Sequence, residues 1–162
     1  MSESSFRLQL DRIANGGYAL GRHDGQVVFV SYAIPGETVE VRLVEQKQNF
    51  VRGVPSAVLE ASRERVTPLC PHFGPGLCGG CQWQHITYEA QLRYKQAIVI
   101  DQFERVGKFS DPPVRPAIGN PAPWGYRSYA TFTIAGDGQS GYYTDDNSVI
   151  IPVEVCHILH PA

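Results

Sequence analysis

The chain has 162 residues and a net charge of −2, and its 43% hydrophobic and 19% charged residues are typical of a globular protein. It has no apolar run near the ~18 residues that a membrane span needs, and its first residues, MSESSFRLQL, do not have the basic and apolar pattern of a signal peptide. We therefore expect a cytoplasmic protein with reduced thiols, no membrane partner, and nucleic-acid contacts only through a local patch.

Residues 1–60 are predicted to form a small, partly open barrel of short strands. The predicted strands are FRLQLDRI, YALGRH, QVVFVSYA, TVEVRLVEQ and NFVRGVPSAVLE. Asp24-Gly25 predicts a tight hairpin turn, and Ile34-Pro35-Gly36-Glu37 predicts a second turn. In TVEVRLVEQ, apolar side chains alternate with charged ones, which indicates a strand with one buried face.

Residues 61–162 are predicted to contain one long helix and an antiparallel meander, so the fold class is mainly β with one long helix (α+β). The helix covers ITYEAQLRYKQAIVIDQFERVGK, with Thr87 as N-cap and Gly107 at its end. The proline-rich SDPPVRPAIGNPAPWG is a loop. YRSYATFTIAG, GYYTD and SVIIPVEVC then form the meander, and GDGQSG forms a hairpin turn.

The cysteines give the strongest indication of a site. Cys70, Cys78 and Cys81 lie within twelve positions, and Cys156 follows far downstream. Disulfides are disfavoured in a reducing compartment, and three cysteines among Gly and Pro are a poor core pattern. A four-cysteine zinc site usually has two short Cys-x2-Cys pairs, and this chain has one. An iron–sulfur cluster, with one compact loop and a distant ligand, is therefore favoured over zinc.

Several segments together resemble a known family. CPHFGPGLCGGCQWQHITYEAQLRYK resembles the cluster segment of RNA (uracil-5-)-methyltransferases that carry a TRAM domain and a four-iron four-sulfur centre. ANGGYALGRHDGQVVFVSYAIPGETVEVRL resembles the TRAM module, and GYRSYATFTI and VEVCHILHP resemble the central domain. The resemblance implies an OB-like TRAM barrel over 1–60, a small iron–sulfur domain with an antiparallel sheet over 61–162, and Cys70, Cys78, Cys81 and Cys156 as cluster ligands.

The chain departs from the family pattern in a few places. The gap after Cys70 has two extra residues, assigned to Pro75-Gly76, and Ser128 and His157 replace Asn and Pro. No Gly-rich cofactor loop between a strand and a helix is found. The family's Rossmann-like domain, with its S-adenosylmethionine site, cysteine nucleophile and acidic base, is thus expected to be absent. We expect the chain to be an N-terminal part that is inactive alone and has no catalytic residue or S-adenosylmethionine contact of its own.

Such an N-terminal part would contribute RNA recognition. An OB-like barrel binds looped or single-stranded RNA through aromatic stacking and basic side chains. The predicted RNA contacts are Tyr18, Arg22, Arg42, Lys47, Arg52, Tyr126 and Arg127. Phe29 and Phe50 are further candidates, although Phe29 is favoured as a core residue. His72 and His85 are expected to be polar neighbours of the cluster, and Trp83 is expected to shield it from water.

Two functions stay open from the sequence. The chain is predicted to be the RNA-recognition and cluster-binding part of an S-adenosylmethionine-dependent RNA (uracil-5-)-methyltransferase, acting on ribosomal RNA in preference to transfer RNA. The alternative is a stand-alone RNA-binding or redox-sensing iron–sulfur module. The chain is expected to be a monomer in either case.

Overall fold

The structure, a computed structural model, describes residues 5–136 and 138–161. This part of the chain divides into two compact units. The first runs to Val66 and resumes with His85–Ala117, and the second comprises Thr67–Gln84 and the residues from Ile118 onward. These units describe packing, and the predicted domain boundary at residue 60 stays a prediction.

The first unit is built on a six-stranded sheet. Its strands are β1 (Ser5–Gln9), β2 (Arg12–Ile13), β3 (Ala19–His23), β4 (Gln26–Val30), β5 (Thr38–Gln46) and β6 (Phe50–Glu60). The strand order is β1-β5-β6-β4-β3-β2, and neighbours are antiparallel except β4 and β6, which run parallel. The prediction of a mainly β chain with one long helix is confirmed at this level.

The predicted strand FRLQLDRI is divided into β1 and β2 by a bend. The Leu10 amide donates to the Glu37 carbonyl beside β5 (2.9 Å), whereas the Asp11 amide donates to a carbonyl of β3 (2.8 Å). One segment thus pairs with strands from both sides of the sheet, which curls the sheet into a barrel. At Gly21 of β3, a Cβ would lie 2.5 Å from a backbone oxygen of β1. The prediction of one continuous strand was wrong, because the alternation of apolar and polar residues in FRLQLDRI does not show that the two halves pair with different strands.

Inward-facing apolar side chains form the barrel core. Val39 and Val41 are completely buried and Leu43 packs against the core, so the alternation predicted for TVEVRLVEQ is confirmed. The other buried members of this cluster are Leu8, Leu10, Ala19, Val28, Val30, Ala33 and Val51. Phe29 lies on the opposite face from Val28 and Val30 and is only half-buried. Its assignment to the core was therefore wrong, because it occupies the outward position of an alternating strand.

Both predicted turns of the barrel are confirmed. Asp24 and Gly25 have positive φ angles of 47° and 81°, as the tight hairpin between β3 and β4 requires. Gly36 has a φ of 87°, and the Glu37 amide donates to the Ile34 carbonyl (3.2 Å), which closes the turn before β5.

A buried ion pair joins this turn to the chain that follows β6. Glu37 is fully buried, and its carboxylate accepts hydrogen bonds from the amides of Ile34 (2.9 Å) and Ser62 (3.2 Å). Arg65 contacts both carboxylate oxygens through Nε (2.6 Å) and Nη2 (2.7 Å), and Nη2 also donates to the Tyr32 carbonyl (3.0 Å). The buried charge of Glu37 is thereby compensated.

The chain leaves the first unit after Val66 and returns at His85, and these two ends are paired. The Val66 amide donates to the His85 carbonyl (3.0 Å), and Arg65 and Ile86 form an antiparallel bridge. Residues 67–84, which carry three of the four cysteines, are therefore a loop that starts and ends at one place in the barrel unit.

The predicted helix is present in two parts. α1 covers Tyr88–Asp101, and a π-helix of Gln102–Val106 follows it directly. Thr87 is the N-cap residue as predicted, although its side chain makes no capping hydrogen bond to the described first turn. Gly107 ends the helix as predicted, and a Cβ there would lie 2.7 Å from the Phe103 carbonyl oxygen. Within the described residues, no helix is long and apolar enough to cross a membrane.

The second unit contains the predicted meander. Its strands are β7 (Thr133–Ile134), β8 (Ser140–Tyr143) and β9 (Ile150–Pro152), which pair antiparallel in that order. The predicted turn GDGQSG is shorter in the structure: Gly136, Gly138 and Gln139 connect β7 to β8, whereas Ser140 and Gly141 already belong to β8. Position 137 lies outside the described residues. The Gly138 amide donates to the Ala135 carbonyl (2.9 Å) in this turn.

Candidate cysteine centre and nucleic-acid interface

The four cysteines line one cavity in the second unit. Cys70, Cys78 and Cys81 come from the loop of residues 67–84, and Cys156 follows β9. All four are half-buried free thiols. The other residues of the cavity wall are His72, Phe73, Gly80, Gln84, Arg127, Tyr142, Val153, His157 and Ile158. The structure thus brings the four predicted ligand positions together, and their binding of a cluster stays a prediction.

Hydrogen-bonded turns fold the cysteine loop back on itself. The Phe73 amide donates to the Cys70 carbonyl (3.2 Å), and the Cys78 amide donates to the His72 carbonyl (3.0 Å). Pro75-Gly76, the predicted two-residue insertion, is exposed, and a Cβ on the glycine would meet no described atom within 4 Å. Extra residues at this position therefore extend away from the cysteines at small cost.

Two glycines let the loop backbone come close to a strand and to a sulfur. The Gly79 amide donates to the Tyr143 carbonyl at the end of β8 (2.9 Å), and a Cβ on Gly79 would lie 2.9 Å from the carbonyl carbon of Thr144. The Gly80 amide points at Sγ of Cys78 (3.4 Å). Gly80 thus donates its amide to a cysteine sulfur of the same loop.

The close approach at Gly79 predicts the effect of a methyl group there. Gly79→Ala is expected to lower the free energy of unfolding by about 1–3 kcal/mol, because the Cβ would overlap backbone atoms of Thr144 and Asp145, which cannot rotate away as a side chain can. Urea unfolding followed by tryptophan fluorescence measures this, since Trp83 and Trp124 both lie in the second unit. Gly136→Ala is the matched control, because a Cβ there meets nothing within 4 Å. Equal stability of the two variants would contradict the prediction.

Backbone hydrogen bonds hold the segment that follows Cys156. The Arg127 amide donates to the Ile158 carbonyl (2.8 Å), and the His160 amide donates back to the Arg127 carbonyl (2.9 Å). The Leu159 amide donates to the carbonyl of Cys156 itself (3.0 Å). The position of Cys156 is therefore fixed by the segment that follows it, because this segment is hydrogen-bonded to both the amide and the carbonyl of Arg127.

The cavity acts on the acidity of the thiols inside it. Burial raises the pKa of Cys78 and of Cys81, and neighbouring cysteine sulfurs raise it further. The Gly80 amide opposes this shift at Cys78, and the Gln84 side chain opposes it at Cys81. The Gln84 side-chain oxygen also accepts the Cys70 amide (3.2 Å). Because thiols bind metal as thiolates, loading of this cavity would release protons.

Tyr142 places a buried hydroxyl in the cavity wall. Its ring packs against Phe132 with centroids 4.8 Å apart, and its buried Oη has no hydrogen-bond acceptor among the described residues. Burial and the Cys156 sulfur raise the pKa of Tyr142, so the hydroxyl keeps its proton at neutral pH, although the Arg127 guanidinium, through its charge and a hydrogen bond to the phenolic oxygen, acts in the opposite direction. Four thiols and one hydroxyl whose proton lacks an acceptor are a donor set that fits an iron–sulfur cluster, whose sulfurs accept hydrogen bonds.

Other residues expected near the cysteines are placed differently. His72 lines the cavity, but His85 is buried in the first unit with its Nε2 3.5 Å from the Ala33 carbonyl, so its prediction as a cluster neighbour was wrong. Burial and then the Arg65 cation lower the pKa of His85 to about 4. Trp83 is half-buried outside the described cavity wall, and its shielding role stays a prediction.

In the described chain, no group of three or more His, Cys, Asp or Glu side chains has the arrangement of a metal-ion site.

On the outer face of the barrel, three aromatic rings and an arginine form what we call the aromatic patch: Tyr18, Phe29, Phe50 and Arg52. Phe29 meets Tyr18 and Phe50 edge-on, with centroid distances of 5.9 and 5.7 Å. The Arg52 guanidinium lies 5.6 Å from the Tyr18 centroid and 5.2 Å from that of Phe50. The rings are only half-buried, so bases could stack on them.

Charged side chains surround this patch. Arg52 and Lys47 both form ion pairs with Glu45, at 2.9 and 3.0 Å. The hydrogen bond from Lys47 is the main cause that lowers the pKa of Glu45, which is therefore ionised at neutral pH. Arg22, on β3, donates to the Gly25 carbonyl (3.4 Å). Arg22, Lys47 and Arg52 thus bring three positive charges to the neighbourhood of the patch, and Glu45 is paired with two of them.

The remaining predicted RNA contacts lie outside the aromatic patch. Arg42 is on β5, one strand further from Phe29 than Arg52 is. Tyr126 is 54% exposed in the second unit, and Arg127 next to it lines the cysteine cavity. Their roles in RNA binding stay predictions.

Two residues of the cysteine cavity were missed by sequence reasoning. Gln84, which contacts Cys70 and Cys81, lies three residues after the last cysteine of the loop, where its short spacing is the only signal. Strand alternation puts Tyr142 on the opposite face of β8 from the exposed Tyr143, but it does not show that this face meets the cysteines.

Comparisons with known proteins identify the relatives of this chain. Residues 4–55 match the model of the TRAM domain. An uncharacterized RNA methyltransferase of Gloeobacter violaceus is 41% identical over 151 residues, which are 90% of this chain and 33% of that protein. One of Aquifex aeolicus is 35% identical over 160 residues, which are 99% of this chain and 37% of that protein. The chain thus spans about a third of the length of the curated relatives that it matches.

A solved structure shares the fold. The crystal structure of Pyrococcus abyssi tRNA (uracil-54, C5)-methyltransferase in complex with S-adenosyl-L-homocysteine matches with a TM-score of 0.63, over 95% of this chain and 33% of that one. At 21% sequence identity this likeness concerns the fold alone. The TRAM match lies on the barrel that carries the aromatic patch, and the sequence relatives extend through the cysteine unit. The chain belongs to the family of RNA methyltransferases that carry a TRAM domain.

Proposed function

We propose that this chain is the RNA-recognition and cluster-binding part of an S-adenosylmethionine-dependent RNA (uracil-5-)-methyltransferase. The aromatic patch on the TRAM barrel is the observation that carries the RNA-binding part of this proposal. The methyl donor and the catalytic groups would belong to the part of the relatives' length that this chain does not span, so the chain alone transfers no methyl group. Ribosomal RNA is the preferred substrate and transfer RNA the alternative.

The cysteine cavity supports the second part of the proposal. Cys70, Cys78, Cys81 and Cys156 would hold a four-iron four-sulfur cluster, with zinc as the alternative occupant. The ligands come from the loop of residues 67–84 and from the segment after β9, so a bound cluster joins two parts of the chain that are distant in sequence. That role is structural, because methylation of uracil needs no electron transfer.

RNA binding would use stacking and phosphate contacts together. Tyr18 and Phe50 present half-buried rings on each side of Phe29, and Arg52 over two of these rings can contact a base or a phosphate. Lys47 and Arg22 would attract the backbone. Since Glu45 neutralises one cation, the phosphate contribution should be modest and the stacking contribution large.

Phe50→Ala tests whether stacking contributes most of the affinity for RNA. The variant is expected to bind a short uridine-containing single-stranded RNA about tenfold more weakly at low salt, because one stacked base is worth about 1–3 kcal/mol. Fluorescence anisotropy over a salt series measures affinity and its salt dependence, and the affinity of the unmodified chain should fall as salt rises.

Phe109→Ala is the control for this experiment, since Phe109 is an exposed aromatic residue of the same compact unit outside the patch. Arg52→Gln should lower both the affinity and the slope of its salt dependence. If Phe50→Ala and Phe109→Ala bind RNA as tightly as the unmodified chain, the patch is not the RNA-binding surface.

A further inference from the structure

The Tyr142 hydroxyl is buried, and its hydrogen has no acceptor among the described residues. A buried donor without an acceptor is rare in native structures, because it loses its hydrogen bond to water without replacement. The ring cannot easily move the hydroxyl elsewhere, because it packs against Phe132 and its strand is paired with β9 through Ile151. An acceptor is therefore expected in the cavity that this hydroxyl faces.

The neighbours of Tyr142 restrict what that acceptor is. The cavity wall beside it carries the thiols of Cys78 and Cys156 and the guanidinium of Arg127. A guanidinium has donors only, so it can approach the phenolic oxygen but cannot accept the phenolic hydrogen. The hydrogen of the hydroxyl is then left for the sulfur-lined side of the cavity.

We propose that Tyr142 is a hydrogen-bond donor to the sulfur of the loaded cysteine centre, with Arg127 beside it as the compensating positive charge. This inference rests on the proposed cluster at the four cysteines. A cysteine-ligated iron–sulfur cluster is anionic, and hydrogen bonds to its sulfurs stabilise it and raise its reduction potential. Tyr142 thus holds the cluster from the β8 side of the cavity.

Tyr142→Phe tests this with the loss of one oxygen atom. After anaerobic reconstitution with iron and sulfide, the variant is expected to lose its brown absorbance in air about tenfold faster than the unmodified chain. Loss of a hydrogen bond to a ligated group typically costs about 10–100-fold in metal affinity, and a weaker-held cluster decays faster. Its reduction potential should also shift to more negative values. Tyr143→Phe is the matched control, because the adjacent ring lies on the exposed face of β8.

Stability of the cluster-free protein separates this role from a packing role. Without a cluster, Tyr142→Phe should unfold at about the same urea concentration as the unmodified chain, since it removes a buried hydroxyl whose hydrogen has no acceptor. Equal decay rates and potentials for Tyr142→Phe and Tyr143→Phe would overturn the inference while the cluster stands. Failure of the unmodified chain to take up iron and sulfide would overturn the cluster proposal and this inference together.

Discussion

Cys156→Ser is expected to abolish the iron–sulfur cluster and to lower the stability of the second unit by about 4 kcal/mol. This loss follows from chain entropy: a link between Cys81 and a residue about 75 positions later restricts the unfolded chain as a disulfide of similar loop length does. Purified without oxygen, the unmodified chain should be brown and contain iron and sulfide. The serine variant should be colourless and should melt at a lower temperature.

The control for this effect is the unmodified chain freed of its cluster with a chelator. If the cluster is the source of stability, this protein and Cys156→Ser should unfold at the same urea concentration, because serine itself removes only a half-buried thiol. A colourless unmodified chain with one zinc ion per molecule would give the site to zinc. A variant that keeps its iron would show that Cys156 is not a ligand.

Arg65→Leu is expected to lower the free energy of unfolding of the barrel unit by about 3–5 kcal/mol. It leaves the carboxylate of Glu37 fully buried with only the amides of Ile34 and Ser62 as donors, and an uncompensated buried charge is strongly destabilising. Far-ultraviolet circular dichroism follows the unfolding of the barrel strands, since the tryptophans report the other unit.

Arg7→Leu is the matched control, because it breaks an ion pair with Glu60 whose two side chains are about two-thirds exposed. Such pairs contribute about 0–1 kcal/mol. The double variant Glu37→Leu, Arg65→Leu should recover part of the lost stability, since it removes the stranded charge along with its partner. Equal losses for Arg7→Leu and Arg65→Leu would show that burial of the pair contributes nothing.

Local features of the fold could be predicted from the sequence, whereas the point at which a segment stops pairing with one strand and starts pairing with another could not. The alternation in TVEVRLVEQ and the Asp24-Gly25 turn depend on neighbouring residues, and both are confirmed. The bend at Leu10 and Asp11 depends on which strands lie on either side, which no local pattern records. Phe29 was assigned to the core because VVFV is uniformly apolar, although its register puts it outside.

The residues of the candidate site could also be predicted only in part from the sequence. The group of four cysteines could be predicted from spacing and from the family resemblance, because cysteine is a recognisable residue type. Tyr142 and Gln84 could not, since a tyrosine or glutamine becomes a neighbour of the cysteines only through the pairing of β8 and the folding of the loop. Arg127 was predicted to contact RNA, whereas the structure places it in the wall of the cysteine cavity, where its backbone pairs with the segment after Cys156.

The pairing of Val66 with His85 has a consequence for the order in which the protein is made. Once His85 has left the ribosome, the loop with Cys70, Cys78 and Cys81 can close, but Cys156 is translated about 75 residues after Cys81. At about 5–20 residues per second, each new chain spends roughly 4–15 s with three of the four thiols gathered and the fourth not yet made. Insertion of the proposed cluster would therefore follow the synthesis of Cys156, and slow translation lengthens the time in which three grouped thiols can be oxidised.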